Sequence, residues 1–236
     1  GNAAGIGDVA IFDGNKGQSS VKLTGNISIR GLKAKNAYSG TINLNGSNLV
    51  SARQTSFNAP TTVLVSSGSL FRTNQNLVIG SNATITASGT GKIYVKSNFQ
   101  NYGTFTAPTS SGSFIVKGGF NNFSGGVFNH NNGTVNLITR YKNQSSGVPS
   151  ARILIQGGPG DGRNFYNLTK TFKRGIYLAS DIEIENDLII ADSGLIRAND
   201  SSNSFDITVG GDIDIDRSGN FQAFSGKVIL NLSLIH

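Results

Sequence analysis

Apolar and polar residues alternate over short stretches along most of the chain. Clear examples are Val21-Lys-Leu23, Ile27-Ser-Ile29, Val63-Leu-Val65, Ile182-Glu-Ile184 and Ile213-Asp-Ile215. A period of two places one side chain in a core and the next in solvent, which is typical of a β-strand. Glycine, asparagine and serine separate these stretches, as turns require. No segment has a convincing 3.6-residue period, so the pattern predicts an all-β protein.

Internal repeats narrow the prediction to a solenoid. Residues 92–102 align without gaps on residues 113–123, an offset of about 21 residues. A third, weaker copy starts at Ile207. A longer-range sequence similarity relates residues 76–87 to residues 187–198. Such a unit cannot bury its apolar side alone and needs a neighbouring turn above and below. We predict a parallel β-helix of about ten rungs, with a β-sandwich as the main alternative because it also uses short alternating strands.

We expect residues 1–236 to form a single β-solenoid. The segment 139–164 fits the repeat poorly and is predicted to be irregular or protruding. The chain begins without Met, and Leu230–Ile235 still has the pattern of a strand. These features predict a piece of a longer chain, with a strand edge near its end that more chain or another subunit would cover.

Composition excludes several classes of protein. The chain has 236 residues with 31 Gly, no Cys, and only 14% charged residues. Coiled coils and helical bundles need far more Ala, Glu, Lys and Leu, and a disulfide scaffold needs cysteine. Apolar runs are only a few residues long, whereas a membrane-spanning helix needs about 18.

Charge is distributed unevenly along the chain. Residues 1–160 contain two acidic and 13 basic residues, whereas residues 161–236 contain 11 acidic and seven basic ones. Oppositely charged ends favour head-to-tail contacts between copies, and such contacts produce filaments when they do not close into a ring. The residues predicted to carry this contact are Asp181, Glu183 and Glu185 against Lys22, Arg30, Lys33 and Lys35.

Several motifs resemble a known group of surface proteins. Gly7–Gly14, Asn26–Leu32 and Tyr38–Leu44 look like the opening of large adhesin-like surface proteins of environmental bacteria. Phe128–Val135 and Phe165–Thr169 resemble the repeats of the same proteins. The resemblance implies a right-handed parallel β-helix, export, and an extracellular structural role, as in autotransporter passengers and filamentous-haemagglutinin-like adhesins. A translocation barrel, secretion motif and wall anchor are missing from the sequence, so the resemblance leaves the route of export open.

The alternating acids suggest a possible metal site. If the intervening isoleucines face the core, Asp212, Asp214 and Asp216 share the outer face, where calcium would relieve their repulsion. A solvated acidic surface is the simpler interpretation. The same carboxylates with Arg197 or Arg217 would imitate the catalytic site of a pectate-lyase-like β-helix. Outer acids on a repetitive rod usually serve solubility, so we assign no catalytic residue.

Aromatic residues recur at matched positions of the repeat. We predict that Phe99, Phe105, Phe120 and Phe128 stack inside the solenoid. Tyr102 and Phe123 flank turns and are candidates for carbohydrate contact. Ice binding would require a regular threonine ladder, and it is set aside because Thr84, Thr86, Thr104 and Thr134 do not repeat in register in the sequence.

The sequence therefore favours a non-catalytic, extracellular structural or adhesive β-helix of a bacterial surface fibre or filament. Expected partners are other copies of the chain or surface polysaccharide. Nucleic acid is not expected because the bases are scattered and form no dense patch, and membrane insertion is not expected either. No cofactor is expected, apart from calcium at the acidic residues described above. The alternatives are a polysaccharide-binding or polysaccharide-cleaving β-helix and a phage-type fibre segment.

Overall fold

The chain folds as a parallel β-solenoid of about nine turns. The structure is a computed structural model that describes residues 7–139, 154–158, 160–172, 175–199 and 203–231. Within these residues every pair of strands is parallel, which confirms the solenoid and excludes the β-sandwich. Adjacent strands lie about 4.8 Å apart, so nine turns make a rod about 43 Å long.

Two long sheets form two sides of the solenoid. Sheet A has ten strands: β1 (Val9–Asp13), β4 (Gly31–Lys35), β7 (Thr55–Phe57), β10 (Leu77–Ile79), β13 (Phe99–Asn101), β16 (Phe120–Asn122), β19 (Leu154–Gln156), β21 (Ile176–Leu178), β24 (Leu195–Arg197) and β27 (Asn220–Gln222). Sheet C has nine: β3 (Ile27–Ile29), β6 (Asn48–Ser51), β9 (Leu70–Thr73), β12 (Lys92–Val95), β15 (Ser113–Val116), β18 (Thr134–Ile138), β20 (Asn167–Thr171), β23 (Leu188–Ala191) and β26 (Ile213–Ile215).

The third side is divided into two sheets. Sheet B covers the N-terminal turns with six strands: β2 (Val21–Lys22), β5 (Thr41–Asn43), β8 (Thr62–Val65), β11 (Thr84–Ala87), β14 (Thr104–Thr106) and β17 (Val127–Asn129). Sheet D covers the C-terminal turns with three: β22 (Ile182–Ile184), β25 (Ile207–Val209) and β28 (Val228–Leu230). The chain between β19 and β20 fills the gap between them.

The 21-residue repeat corresponds to neighbouring turns. Lys92 pairs with Ser113 and Phe99 with Phe120, at the offset that the sequence alignment predicts. The longer-range similarity between residues 76–87 and 187–198 does not mark equivalent positions of the solenoid. Residues 77–79 lie in sheet A, whereas residues 188–191 lie in sheet C. All three sides require the same inward alternation, so similar sequences occur on different sides.

The prediction that the threonines are out of register is wrong for most of them. Thr84 pairs with Thr104, and Thr86 with Thr106, on adjacent strands of sheet B. Thr134 lies in β18 of sheet C. Turn length varies from corner to corner, so a constant sequence offset does not reveal which residues are neighbours in the sheet.

Phenylalanine rings fill the middle of the core. Phe99, Phe105, Phe120 and Phe128 are fully buried, which confirms their predicted position. The ring centroid of Phe99 lies 4.8 Å from that of Phe105 and 5.0 Å from that of Phe120. Burial of each such side chain contributes about 1.5–3 kcal/mol. Towards the C-terminus the core becomes aliphatic, with buried side chains at Ile176, Leu178, Ile182, Ile184, Leu188, Ile190, Ile196, Ile207 and Val209.

Asparagines inside the corner between sheets A and B replace apolar packing with hydrogen bonds. Asn101 and Asn122 are fully buried. The Asn101 amide donates to Asn122 Oδ1 at 2.7 Å and to the Val127 carbonyl at 3.0 Å. Asn122 in turn donates to the Gly126 carbonyl at 3.1 Å. These amides satisfy backbone groups where the chain turns, because a buried polar group without a partner is costly.

The predicted irregular segment is only partly described. Residues 140–153 and 159 lie outside the described residues, as do residues 232–236 of the predicted terminal strand. In the described part, Leu154–Gln156 is a regular strand, β19, and residues 157–158 and 160–166 form no named strand.

Candidate functional site

The third side of the solenoid is irregular where sheet B ends. The Phe128 N–H of β17 donates to the Gly162 carbonyl at 2.7 Å. Phe165 forms an isolated parallel bridge to Ile184 of β22, so the segment joins sheet B to sheet D. Glycines 160 and 162 have φ angles of +83° and +76°, a backbone conformation that glycine adopts readily.

His130 and Glu185 meet beside this break. His130 follows β17 at a corner, and its Nε2 lies 3.1 Å from Glu185 Oε1. The imidazole also stacks on the Tyr166 ring, with centroids 5.6 Å apart and planes 27° from parallel. The Asn132 N–H donates to Nδ1 at 3.1 Å, so Nδ1 accepts and Nε2 is free to donate to the carboxylate. The ring is therefore fixed in both position and tautomer.

Asn164 connects the same carboxylate to a small cleft. Its amide donates to Glu185 Oε1 at 2.6 Å, and only 2% of the residue is exposed. Asn164 Oδ1 is buried and has no hydrogen-bond partner among the described groups. A buried acceptor without a protein partner is rare in proteins.

The cleft has a volume of about 220 Å³. Its lining is Phe128, Asn129, His130, Asn131, Asp161, Gly162 and Asn164. Amide, imidazole and carboxylate groups offer donors and acceptors in close proximity, which suits a hydroxyl-rich ligand. The volume is below the range of about 300–1,000 Å³ for drug-sized ligands, so the cleft is suited to a single small unit. No sequence pattern indicated this cleft, because His130 and Glu185 are 55 residues apart.

The predicted carbohydrate residues form a stacked pair. The rings of Tyr102 and Phe123 lie 4.4 Å apart and 8° from parallel. They occupy the corner between sheets A and B on successive turns, and Tyr102 is 39% exposed. The pair presents an aromatic edge to solvent, and its role in carbohydrate contact stays a prediction.

Asp212, Asp214 and Asp216 lie in the C-terminal turns, and a calcium site at these residues stays a prediction. The carboxylate of Asp216 already accepts from the N–H groups of Asp192 at 2.8 Å and Gly219 at 2.6 Å. The Asp192 N–H and the Ser218 hydroxyl hold the pKa of Asp216 below its usual value. Calcium requires six to eight oxygen ligands. Among the residues that the structure describes, no group of three or more His, Asp or Glu side chains is placed to hold a metal ion.

The arginines considered for a lyase-like site differ in their surroundings. The Arg197 guanidinium lies over the Tyr177 ring at 5.2 Å and donates to the hydroxyl of that tyrosine. Its Nε also donates to Gln222 at 2.8 Å. Arg217 is exposed. Arg197 is thus bound to neighbours on the outer surface of sheet A.

The residues proposed for self-association also have different surroundings. Glu183 accepts from the Gly160 N–H at 2.8 Å, and Glu185 binds His130 and Asn164 as described above. Asp181 accepts from the Asp206 N–H at 2.8 Å. All three acids thus already accept hydrogen bonds within the chain.

On the basic side, Lys35 pairs with Asp13 at 3.4 Å. Lys22, Arg30 and Lys33 are exposed and form no ion pair with any described residue. The structure therefore leaves three of the predicted bases free for an external partner, and the predicted contact itself stays a prediction.

Lys170 is a buried cation that the sequence analysis missed. The residue has no exposed surface, and its Nζ donates to the carbonyls of Thr171 at 2.6 Å and Phe172 at 2.7 Å. Burial lowers the pKa of Lys170 to about 7. The only sequence signal is its position in Asn167–Thr171, where the alternation puts Leu168 and Lys170 on the same inward face.

Comparisons with protein families, curated proteins and solved structures find no match to this chain. Within the described part of the chain, no helix is long and apolar enough to cross a membrane. The fold itself is thus what the structure establishes: an all-β parallel solenoid built from repeated turns.

Proposed function

We propose that this chain is a non-catalytic structural and adhesive segment of an extracellular bacterial surface fibre. The observation that carries the proposal is the continuity of sheets A and C, which run through nearly all described turns. A backbone ladder shared by successive turns resists bending, and each turn contacts only its neighbours. The stiff rod can therefore carry an adhesive surface along its length, and it needs no second domain to support it.

The variable outer positions support an adhesive role. Inward positions are mostly apolar or internally hydrogen-bonded, whereas the charged residues change from purely basic over residues 36–129 to mainly acidic over residues 161–236. A fibre segment can thus present different chemistry at different heights on one scaffold. The resemblance of Phe128–Val135 to adhesin-like repeats supports the same assignment.

Surface labelling tests the location. Antibodies raised against the purified chain should label intact cells that produce it, and brief protease treatment should remove the label. Labelling that appears only after the cells are permeabilised would contradict an extracellular role. Electron microscopy of the released material should show rods, and each turn should contribute about 5 Å to the rod length.

Head-to-tail assembly is a part of this proposal that can be tested separately. Lys22 and Lys33 are exposed bases near one end of the rod, and we expect K22E/K33E to reduce self-association. R72E is the matched control, since Arg72 lies on sheet C in the middle turns. Light scattering should also decrease as salt shortens the Debye length from about 10 Å at 0.1 M to about 3 Å at 1 M. Assembly that is insensitive to salt would contradict the electrostatic contact.

Polysaccharide binding is the second candidate, favoured by the cleft beside His130. Asp161 would accept hydrogen bonds from sugar hydroxyls, and the exposed edge of the Tyr102–Phe123 pair would contact a sugar ring. We expect D161A to weaken binding of a neutral polysaccharide, measured by calorimetry, because it removes an acceptor for sugar hydroxyls, and T169A on sheet C to leave it unchanged. A separate assay on an anionic polysaccharide with and without calcium tests for cleavage: release of unsaturated sugar products would establish a lyase instead.

A further inference from the structure

One outer surface of the solenoid is a regular array of threonines. This threonine face comprises the outward side chains of β5, β8, β11 and β14 in sheet B. Backbone register places Thr41, Thr62, Thr84 and Thr104 in one column, each paired with the next. The second column consists of Asn43, Leu64, Thr86 and Thr106. Six of the eight positions are therefore threonine.

The hydroxyls of the threonine face are available to an external partner. In the described structure, no protein group hydrogen-bonds the side chains of Thr62, Thr84 or Thr104, and the same holds for Thr41 and Thr86. Thr106 accepts one long bond, at 3.4 Å, from Asn129.

Threonines elsewhere in these turns behave differently. Thr61, Thr73 and Thr109 donate to backbone carbonyls of a preceding turn, at 3.3, 2.9 and 3.1 Å. Their hydroxyls hold the corners and the core together. The array on sheet B has no such structural use.

The threonine face is also free of charge. Residues 36–129 contain five basic residues and no acidic one. All five lie on sheet C or at the corner between sheets C and A: Arg53, Arg72, Lys92, Lys96 and Lys117. The four strands of the face and the corners that flank them carry only neutral side chains, and the nearest charge in sheet B is the exposed Lys22 of β2, which pairs with Asn43 at the N-terminal edge of the face. The rod thus has a cationic side and a neutral side.

We propose that the threonine face binds the surface of ice crystals through an ordered layer of water. Side chains repeat about every 4.8 Å along the rod axis and about 6.8 Å across each strand, a mesh close to that of oxygen atoms on the prism faces of hexagonal ice. Methyl groups restrict the orientations of adjacent water, and the hydroxyls between them anchor that layer by hydrogen bonds. Charged groups would orient water around themselves and disturb the lattice, and the four strands of the face carry none.

The size and composition of the face argue against other occupants. Four strands with three residues each cover about 200 Å², well below the roughly 800 Å² per partner of a stable protein interface. Stacking on a crystalline polysaccharide would need outward aromatic rings, and the ring within this array, Phe105, points into the core. The threonine face is a different surface from the cleft, and ice binding by it does not depend on the adhesive role.

The experiment compares three variants of the 236-residue chain in ice partition and ice recrystallisation assays. T84K places a charge in the middle of the threonine face. T84V/T104V removes two hydroxyls and keeps the volume. T169K is the control, because Thr169 is a half-buried outward threonine of sheet C, between Asn136 and Ile189. Circular dichroism and melting curves verify that each variant is folded.

We expect the parent chain and T169K to enter growing ice and inhibit recrystallisation equally. T84K should require about tenfold more protein for the same inhibition, and T84V/T104V about threefold more. Absence of ice partition by the folded parent chain would overturn the proposal, as would equal loss in T84K and T169K. Another contrary result is a parent chain that shows no ice activity and binds crystalline cellulose or chitin, with T84K abolishing that binding. This result would assign the face to a polymer and would also overturn the proposal. If T84K does not fold, T84V/T104V decides by the same criteria.

Discussion

Sheets B and D occupy the same side of the solenoid but have different chemistry. The inward residues are apolar in both, with Val63, Ile85 and Phe105 in sheet B, and Ile182 and Ile207 in sheet D. The outward positions of sheet B are mostly threonine, whereas those of sheet D include Glu183, Thr208 and Ile229 in register. The comparison shows that inward alternation sets the fold and leaves the outer surface free to change. The break at residues 160–166 is where one surface gives way to the other.

Truncating a core side chain on each side of the break should have the largest effect. Phe105 lies among Phe99, Phe114 and Phe128, and F105A should cost about 3–5 kcal/mol of unfolding free energy. I184A in sheet D should cost about 2–5 kcal/mol, because a smaller side chain leaves a smaller cavity. Denaturant titration measures both changes. A loss below about 1 kcal/mol in F105A would mean that the aromatic core is loosely packed.

Adding one methyl group at a corner should destabilise the end of sheet B. A Cβ on Gly126 would lie 2.5 Å from the Asn101 carbonyl oxygen and 2.7 Å from Asn122 Oδ1. G126A should therefore cost about 1–3 kcal/mol, measured by the same titration. Gly25 is the matched control, since a Cβ there would have no neighbour within 4 Å. Equal stability of G126A and G25A would show that the corner can move apart.

Lys170 should make stability dependent on pH. Burial lowers its pKa from 10.5 to about 7 in the folded chain, so the unfolded chain binds more protons between these values. Unfolding free energy should therefore rise as pH increases from about 7 to about 10.5. K170M should remove this rise, since methionine has a similar length and no titratable group. Melting temperatures of both proteins at pH 6, 8 and 10 provide the measurement, and identical pH profiles would contradict the lowered pKa.

Neutralising Glu185 should loosen the break between the two sheets. E185Q replaces a carboxylate acceptor of both His130 and Asn164, a change worth about 1 kcal/mol locally. We expect faster hydrogen exchange in residues 160–166 and little change in β10–β14. D214N is the control, because Asp214 is an exposed acid on sheet C away from the break. Faster exchange in D214N as well would mean that net charge, and not this contact, holds the segment.

Much of the architecture could be predicted from the sequence. The gapless repeat of residues 92–102 and 113–123 fixed both the parallel stacking and the register of Phe99 on Phe120, which the structure confirms. The buried position of the four phenylalanines followed from the same alternation. The predicted ten rungs are close to the nine observed, because one turn takes 20–25 residues in most of the chain.

The site was much less predictable. Asn101 and Lys170 are polar residues that turn inward, and only their contacts with backbone carbonyls explain why this is stable. The cleft joins residues 128–131 with 161–164 across the longest insertion in the solenoid, so no local pattern indicates it. The threonine array was hidden for a related reason: corners of different length separate its members in the sequence.

The alternation of apolar residues by itself determined that this protein is a stacked β-structure, since every turn must bury the same inward face. The tertiary structure decided which outward residues become neighbours. Which residues pair between adjacent turns depends on how many residues each corner takes up. Backbone hydrogen bonds and glycine positions across the turns decide that number. The neutral threonine face, the cationic side and the polar cleft all result from that three-dimensional register.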